Sequence, residues 1–284
     1  MSTIVAKNWL LARLYDHDLV IVDCRFQLDK PEAGRQAYEA GHIPGAVYLD
    51  LEADLSGPVG PHGGRHPLPD MEQLAQRLGE AGIGPDSRVV AYDDQGGMYA
   101  ARLWWLLRYA GHEHVHVLGE GFSAWQAAGY PVTAETRVVI PQTFVAHPQR
   151  KLWADVSEVH EASAAGDAGA LLVDSREAKR YIGEEEPMDA RAGHIPGAAN
   201  RFWKGVLDEH GAWKSAEQLR EYYPDIIQAA EAGRDVIVYC GSGVSACPNV
   251  LALHELGLTK VKLYPGSWSD WISYPENPVA TGEE

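Results

Sequence analysis

The stretch Val236-Ile-Val-Tyr-Cys240-Gly-Ser-Gly-Val-Ser-Ala246 decides how this chain is read. Its β-branched apolar opening has the character of a buried strand. One cysteine stands at the strand's end, followed by the small residues Gly241, Ser242 and Gly243. Beyond Ser245 the apolar spacing becomes helical through Val250, Leu251, Leu253 and Leu256, and stops at Gly257. Pro248 suits a first helical turn, where its missing N–H is not needed. The Cys240 sulfur is therefore expected in a tight strand-to-helix loop. Glycines there let main-chain N–H groups turn toward one point, and the helix start adds partial positive charge. Such surroundings favour the thiolate, the nucleophilic form of a cysteine.

Working outward, the chain repeats itself. Val22-Asp23-Cys-Arg25 recurs as Val173-Asp174-Ser-Arg176, and Gly41-His-Ile-Pro-Gly-Ala46 recurs unchanged as Gly193-His-Ile-Pro-Gly-Ala198. Val89-Val-Ala-Tyr92 answers Ile237-Val-Tyr239, and Trp125 answers Trp271. The offset stays near about 150 residues, the size of a duplicated domain and far too long for a solenoid repeat. Two domains are expected, at residues 1–140 and 150–284, with a Pro-bearing linker from about Thr136 to Arg150.

Within each copy, short apolar strands alternate with helical patterns. In the first, Leu19–Val22, Arg88–Tyr92 and Val115–Leu118 read as strands, and Met71–Ala81 and Ala100–Tyr109 as helices. That alternation predicts an α/β fold, with a mostly parallel central sheet flanked by helices in each domain. Reactive groups in such folds gather at the carboxyl ends of strands, where Cys240 falls.

Composition sets further bounds. The 284 residues are 45% hydrophobic and carry a formal net charge of −16. That charge argues against a nucleic-acid partner, and any anion site has to be built locally from Arg, His and main-chain amides. No apolar run approaches the length of a membrane span. The first residues, Met1-Ser-Thr-Ile-Val-Ala-Lys7, do not pair a basic segment with an apolar one, so no secretory signal is expected. Cys24, Cys240 and Cys247 are odd in number and form no Cys-x-x-Cys pair, so neither a disulfide framework nor a zinc site is favoured. A free reactive thiol suits a reducing cytoplasm.

The loop Cys240-Gly-Ser-Gly-Val-Ser245 resembles the active-site loop of the rhodanese-like sulfurtransferases, and its start looks most like their mercaptopyruvate branch. The resemblance implies two tandem rhodanese-like domains, the second catalytic. At the position of Cys240 the first copy has Asp93, which cannot accept a sulfur atom, so that copy is read as non-catalytic and helping to wall the cleft. The resemblance also implies a persulfide on Cys240, formed from a small anionic donor and passed to a thiol, cyanide or a thioredoxin-like protein, without a cofactor. Gly241, Gly243, Val244 and Ser245 would hold the sulfur or the donor through the loop. Arg180 matches an arginine that the mercaptopyruvate branch uses for the donor carboxylate. The family's second arginine, just after its Glu-Pro, is Met188 here, with Arg191 slightly further on and Arg65 in a Gly/Pro-rich loop of the first half. His66 aligns with a histidine of a proposed relay whose partners here are Ser242 and Glu52. The loop lacks the cationic residues of thiosulfate-preferring members, which favours 3-mercaptopyruvate as donor, with thiosulfate as the alternative.

The duplicated residues read differently. His42 and His194, and the pairs Asp23/Arg25 and Asp174/Arg176, occur in both copies, including the one without a nucleophile, so they are expected to maintain the fold. Gly183–Arg191 reads as an acidic loop. A phosphatase or arsenate reductase would need Cys-x5-Arg, and position 246 is Ala. A sulfur carrier or redox sensor would use Cys247 as a resolving thiol.

Overall fold

In the computed structural model, which describes residues 2–283, the β-branched runs form two parallel sheets. The first contains β1 (Ile4–Val5), β2 (Leu19–Asp23), β3 (Ala46–Tyr48), β4 (Arg88–Tyr92) and β5 (Val115–Leu118), ordered β1-β5-β4-β2-β3. The second contains β6 (Leu171–Asp174), β7 (Ala199–Asn200), β8 (Val236–Tyr239) and β9 (Val261–Leu263), ordered β7-β6-β8-β9. Every pairing between these strands is parallel. Parallel strands need covered crossovers, and helices such as Met71–Glu80 and Met98–Tyr109 supply them. The order β5-β4-β2-β3 is repeated as β9-β8-β6-β7. Where the first sheet adds β1 beside β5, the second has a single parallel bridge, Trp153 to Leu263.

The repeated motifs do the same structural work in both copies. His42 stacks on Tyr38 at 4.0 Å and hydrogen-bonds its carbonyl, and His194 does so with Tyr181 at 3.8 Å. The indole N–H groups of Trp125 and Trp271 donate to the carbonyls of Pro131 and Pro278, both at 2.8 Å. Arg25 and Arg176 each fork onto the Asp two residues earlier and donate to the carbonyls of Gly41 and Gly193.

The chain forms two units whose limits differ from a cut at 140/150. One unit comprises residues up to Gly57, Pro69–Gln149 and Glu209–Trp213. The other comprises Pro58–Leu68, Arg150–Asp208 and residues from Lys214 onward. The expected linker is not free either. Its main chain pairs within the first unit, Gln142 N–H with the Gly79 carbonyl and His147 N–H with that of Ala110. Among the described residues no helix is long and apolar enough to cross a membrane.

Two buried histidines of the first unit give a pH expectation. Burial pushes both His112 and His116 below their ordinary value of 6.5. A depressed histidine contributes stability above its unfolded value and loses it as protons bind the unfolded chain below that value. The urea midpoint of the first unit should therefore fall between about pH 7.5 and about pH 5.5. The double variant His112→Gln/His116→Gln should have a flatter profile, and an equally steep one would refute this account.

Candidate active site

Cys240 follows β8 directly and is held at both ends of its main chain. Its N–H donates to Ser267 Oγ at 3.1 Å, and its carbonyl accepts from Trp268 N–H at 3.0 Å. The side chain is 1% exposed, and Sγ accepts the Gly243 N–H at 3.1 Å. An amide aimed at sulfur stabilises negative charge there. Gly243 sits at φ +76°, and a Cβ on it would stand 2.2 Å from the Pro265 carbonyl oxygen, so only glycine closes this turn. Cys247, the first residue of helix Cys247–Glu255, is buried with its thiol directed to the Gly243 carbonyl at 3.4 Å. Val244 is packed into the core and offers the site only its main chain, whereas Ser245 is half-buried at the helix approach.

The first copy shows what this loop is shaped to hold. The Asp93 carboxylate is buried and accepts four N–H groups, from Gln95, Gly97, Tyr99 and Ala100, at 2.8–3.0 Å. Burial raises its carboxyl above the ordinary value, against the pull of those four bonds. In the second copy the nucleophile replaces the carboxylate. There the N–H groups of Gly241, Ser242, Val244, Ser245 and Ala246 meet no acceptor among the described residues. Asp94 is tied to the Ser123 N–H and hydroxyl at 2.8 and 2.5 Å. No group of three or more His, Cys, Asp or Glu that could hold a metal ion occurs among the described residues.

Residues 58–68 bring the other candidates to Cys240 within the second unit. Gly63 N–H donates to Asp270 at 2.7 Å, and Arg65 N–H donates to Ser269 Oγ at 3.1 Å. His66 Nδ1 and Ser242 Oγ are hydrogen-bonded at 2.8 Å, both side chains buried. A Cβ on Gly241 would stand 2.9 Å from Arg65 Nη2 and 3.6 Å from Arg180 Nη1, so two guanidiniums lie beside the residue next to the nucleophile. Arg191 is directed elsewhere, its guanidinium to the Asn277 carbonyl at 3.4 Å. Glu52, the third expected relay member, is an exposed residue of the first unit whose N–H donates to Asp50.

Three residues went unnoticed in the sequence. Asp189 joins Arg65 through one oxygen and Arg180 through the other, the latter at 3.1 Å. Glu186 bridges Arg180 at 2.7 Å and Arg176 at 3.3 Å. Burial acts on both acids, but hydrogen bonds from Arg180 and the Met188 amide bring Glu186 below its ordinary value, while burial leaves Asp189 above its own. In the sequence both belong to a run that reads only as an acidic loop. Ser267 is the one non-glycine residue at positive φ among those described, +56°, and its first-copy counterpart is Gly121 at +75°. Its hydroxyl donates to the Tyr264 carbonyl at 2.8 Å and lies 4.0 Å from Cys240 Sγ. The Gly-to-Ser difference between the copies was the available signal.

The chain resembles known proteins along nearly its whole length. The rhodanese-like domain model matches residues 6–128 and again 155–274. The chain is 42% identical over 284 residues to a Pseudomonas aeruginosa protein named "Probable 3-mercaptopyruvate sulfurtransferase", covering 99% of each. It is 33% identical over 293 residues to the thiosulfate sulfurtransferase of Cricetulus griseus, covering 99% of this chain and 96% of that one. The crystal structure of SseA, a 3-mercaptopyruvate sulfotransferase of Escherichia coli, superposes with a TM-score of 0.81 at 35% identity, covering 95% of this chain and 100% of that one. The chain belongs to the rhodanese-like family, with two tandem domains. It is an enzyme of the sulfurtransferase class, working between a sulfur donor and an acceptor.

Proposed function

We propose that this chain moves the sulfur of 3-mercaptopyruvate through a persulfide on Cys240 to an acceptor thiol or cyanide. The donor carboxylate is bound by Arg180 and Arg65. The Cys240 thiolate attacks the donor sulfur, the carbon–sulfur bond breaks, and its electron pair leaves on carbon as the enolate of pyruvate. The thiol proton of the donor passes by way of Ser242 and His66 to that carbon, giving pyruvate. The persulfide is held by the Gly243 amide and the loop amides without partners. An acceptor thiolate, from a small molecule or a thioredoxin-like protein, then attacks the outer sulfur and releases the Cys240 thiolate, giving ping-pong kinetics. A reducing cytoplasm suits this cycle.

The observation that carries this reading is the surroundings of Gly241. The nucleophile is its chain neighbour, and two guanidiniums, suited to a forked grip on a carboxylate, lie beside it. Thiosulfate is the second reading, favoured by the full-length relative of that name. Steady-state kcat/KM for the two donors decides, with pyruvate release and thiocyanate formation as readouts. The expected result is at least a roughly tenfold preference for 3-mercaptopyruvate, and a fall of about 10- to 100-fold in its kcat/KM for Arg180→Ala. A clear preference for thiosulfate would replace the first reading by the second.

A further inference from the structure

Asp189 is a carboxylate held where two arginines face the nucleophile loop. Its side chain is 4% exposed, and its two oxygens are divided between Arg65 and Arg180. The pattern extends into a closed set of six charges. Arg176 forks onto Asp174, donates to the Gly193 carbonyl and touches Glu186. Glu186 is shared with Arg180 and takes the Met188 and Asp189 amides. Three guanidiniums thus face three carboxylates, and the sum is zero.

That balance bears on donor charge. At neutral pH 3-mercaptopyruvate carries one negative charge, on its carboxylate, while thiosulfate carries two. A monoanion finds hydrogen-bond donors on Arg65 and Arg180, but their positive charge is already offset by the carboxylates and leaves no surplus for a second negative charge. A second negative charge must be accommodated close to Asp189. Repulsion in a buried, weakly screened site scales with the charge product, so the dianion is penalised more. The sequence has no cationic side chain in the loop itself to offset this: Gly241, Ser242, Gly243, Val244 and Ser245 are all neutral.

We infer that Asp189 is a specificity-determining residue, whose charge between Arg65 and Arg180 selects a singly charged sulfur donor over a doubly charged one. The inference rests on the proposed sulfur transfer through Cys240. It also assigns the acidic loop a purpose that its composition alone does not disclose. The same carboxylate keeps the two guanidiniums side by side, so its charge and its bracing are separate contributions that can be tested apart.

The test is the ratio of kcat/KM for thiosulfate to kcat/KM for 3-mercaptopyruvate, in the full-length protein and three variants. Asp189→Asn keeps the shape and removes the negative charge, and the ratio should rise at least about tenfold. Arg65→Gln removes a positive charge from the other end of the same pair, and the ratio should fall. Asp189→Glu restores the charge, and its ratio should stay within about threefold of the wild type. A merely bracing role would move Asp189→Asn and Arg65→Gln in the same direction, since each unties the pair. That result, or a change below about threefold in Asp189→Asn, would overturn the inference. If Asp189→Asn does not fold, judged by its thermal melt, the other two variants decide: a ratio that falls in Arg65→Gln and stays within about threefold in Asp189→Glu supports the inference, and any other pair of results overturns it. A wild type that turns over neither donor would defeat the sulfur-transfer reading and this inference with it. A wild type that prefers thiosulfate would defeat only the choice of donor, because the ratio shifts would still be read.

Discussion

Cys240→Ser is expected to lose at least about ten-thousandfold in turnover with either donor, while the protein melts within a few degrees of the wild type. The fold should tolerate the change because the oxygen takes nearly the place of the sulfur. The Gly243 amide, 3.1 Å from Sγ, would still meet an acceptor, and the Cys240 main-chain bonds to Ser267 and Trp268 do not involve the side chain. The chemistry should not tolerate it. A hydroxyl is almost wholly protonated at neutral pH, and an oxygen cannot carry the transferred atom as a persulfide. Donor binding depends on Arg65 and Arg180 and should persist. Mass spectrometry after donor treatment should find one added sulfur atom on the wild type and none on the variant. Residual turnover above about one per cent would place the nucleophile elsewhere.

The second large effect falls on stability. Arg176→Ala should destabilise the second unit by about 3–5 kcal/mol, the usual cost of leaving a buried charge without its partner. The Arg176 and Asp174 side chains are 1% and 0% exposed, and Arg176 also donates to the Gly193 carbonyl and lies 4.6 Å over the Trp268 ring. Removing the guanidinium strands the Asp174 carboxylate, leaves the Gly193 carbonyl without that donor and opens a void beside the indole. Urea unfolding at neutral pH measures the loss. Replacing both partners by apolar residues of similar volume should recover part of it, because the penalty belongs to the orphaned charge rather than to the pair. A loss below about 1 kcal/mol would show that water reaches Asp174.

Much of this architecture could be read from residue patterns, for physical reasons. Strands buried on both faces have to be apolar along nearly their whole length, and Val236–Tyr239 and residues 19–22 are. The duplicated histidines and Asp/Arg pairs pointed to structural work because one copy lacks a nucleophile, and their bonds are of that kind. The pairing of His66 with Ser242 followed from family resemblance, since nothing local joins residues 176 apart in sequence. The exchange of 58–68 and 209–213 between the units had no local signature, because it depends on long-range packing. Asp189 was hidden for a related reason: a carboxylate in an acidic run looks solvated until its partners are known. Arg191 stands slightly beyond the Glu186-Pro187 pair in sequence, and its guanidinium donates to the Asn277 carbonyl, a partner that no local pattern discloses.

The loop 58–68 has a consequence for biosynthesis. His62, Gly63, Arg65 and His66 find their partners 211, 207, 204 and 176 residues further along the chain. On the ribosome this stretch emerges long before Ser242, Ser269, Asp270 and Ser273 exist. β4 and β5 of the first sheet and all four strands of the second are made while it waits for these partners, and it docks only when the last helices are released. Assembly of the reactive centre is therefore a late event that couples both ends of the polypeptide. A nascent chain that stalls before Ser269 carries the nucleophile without the hydroxyl that seats Arg65 beside it.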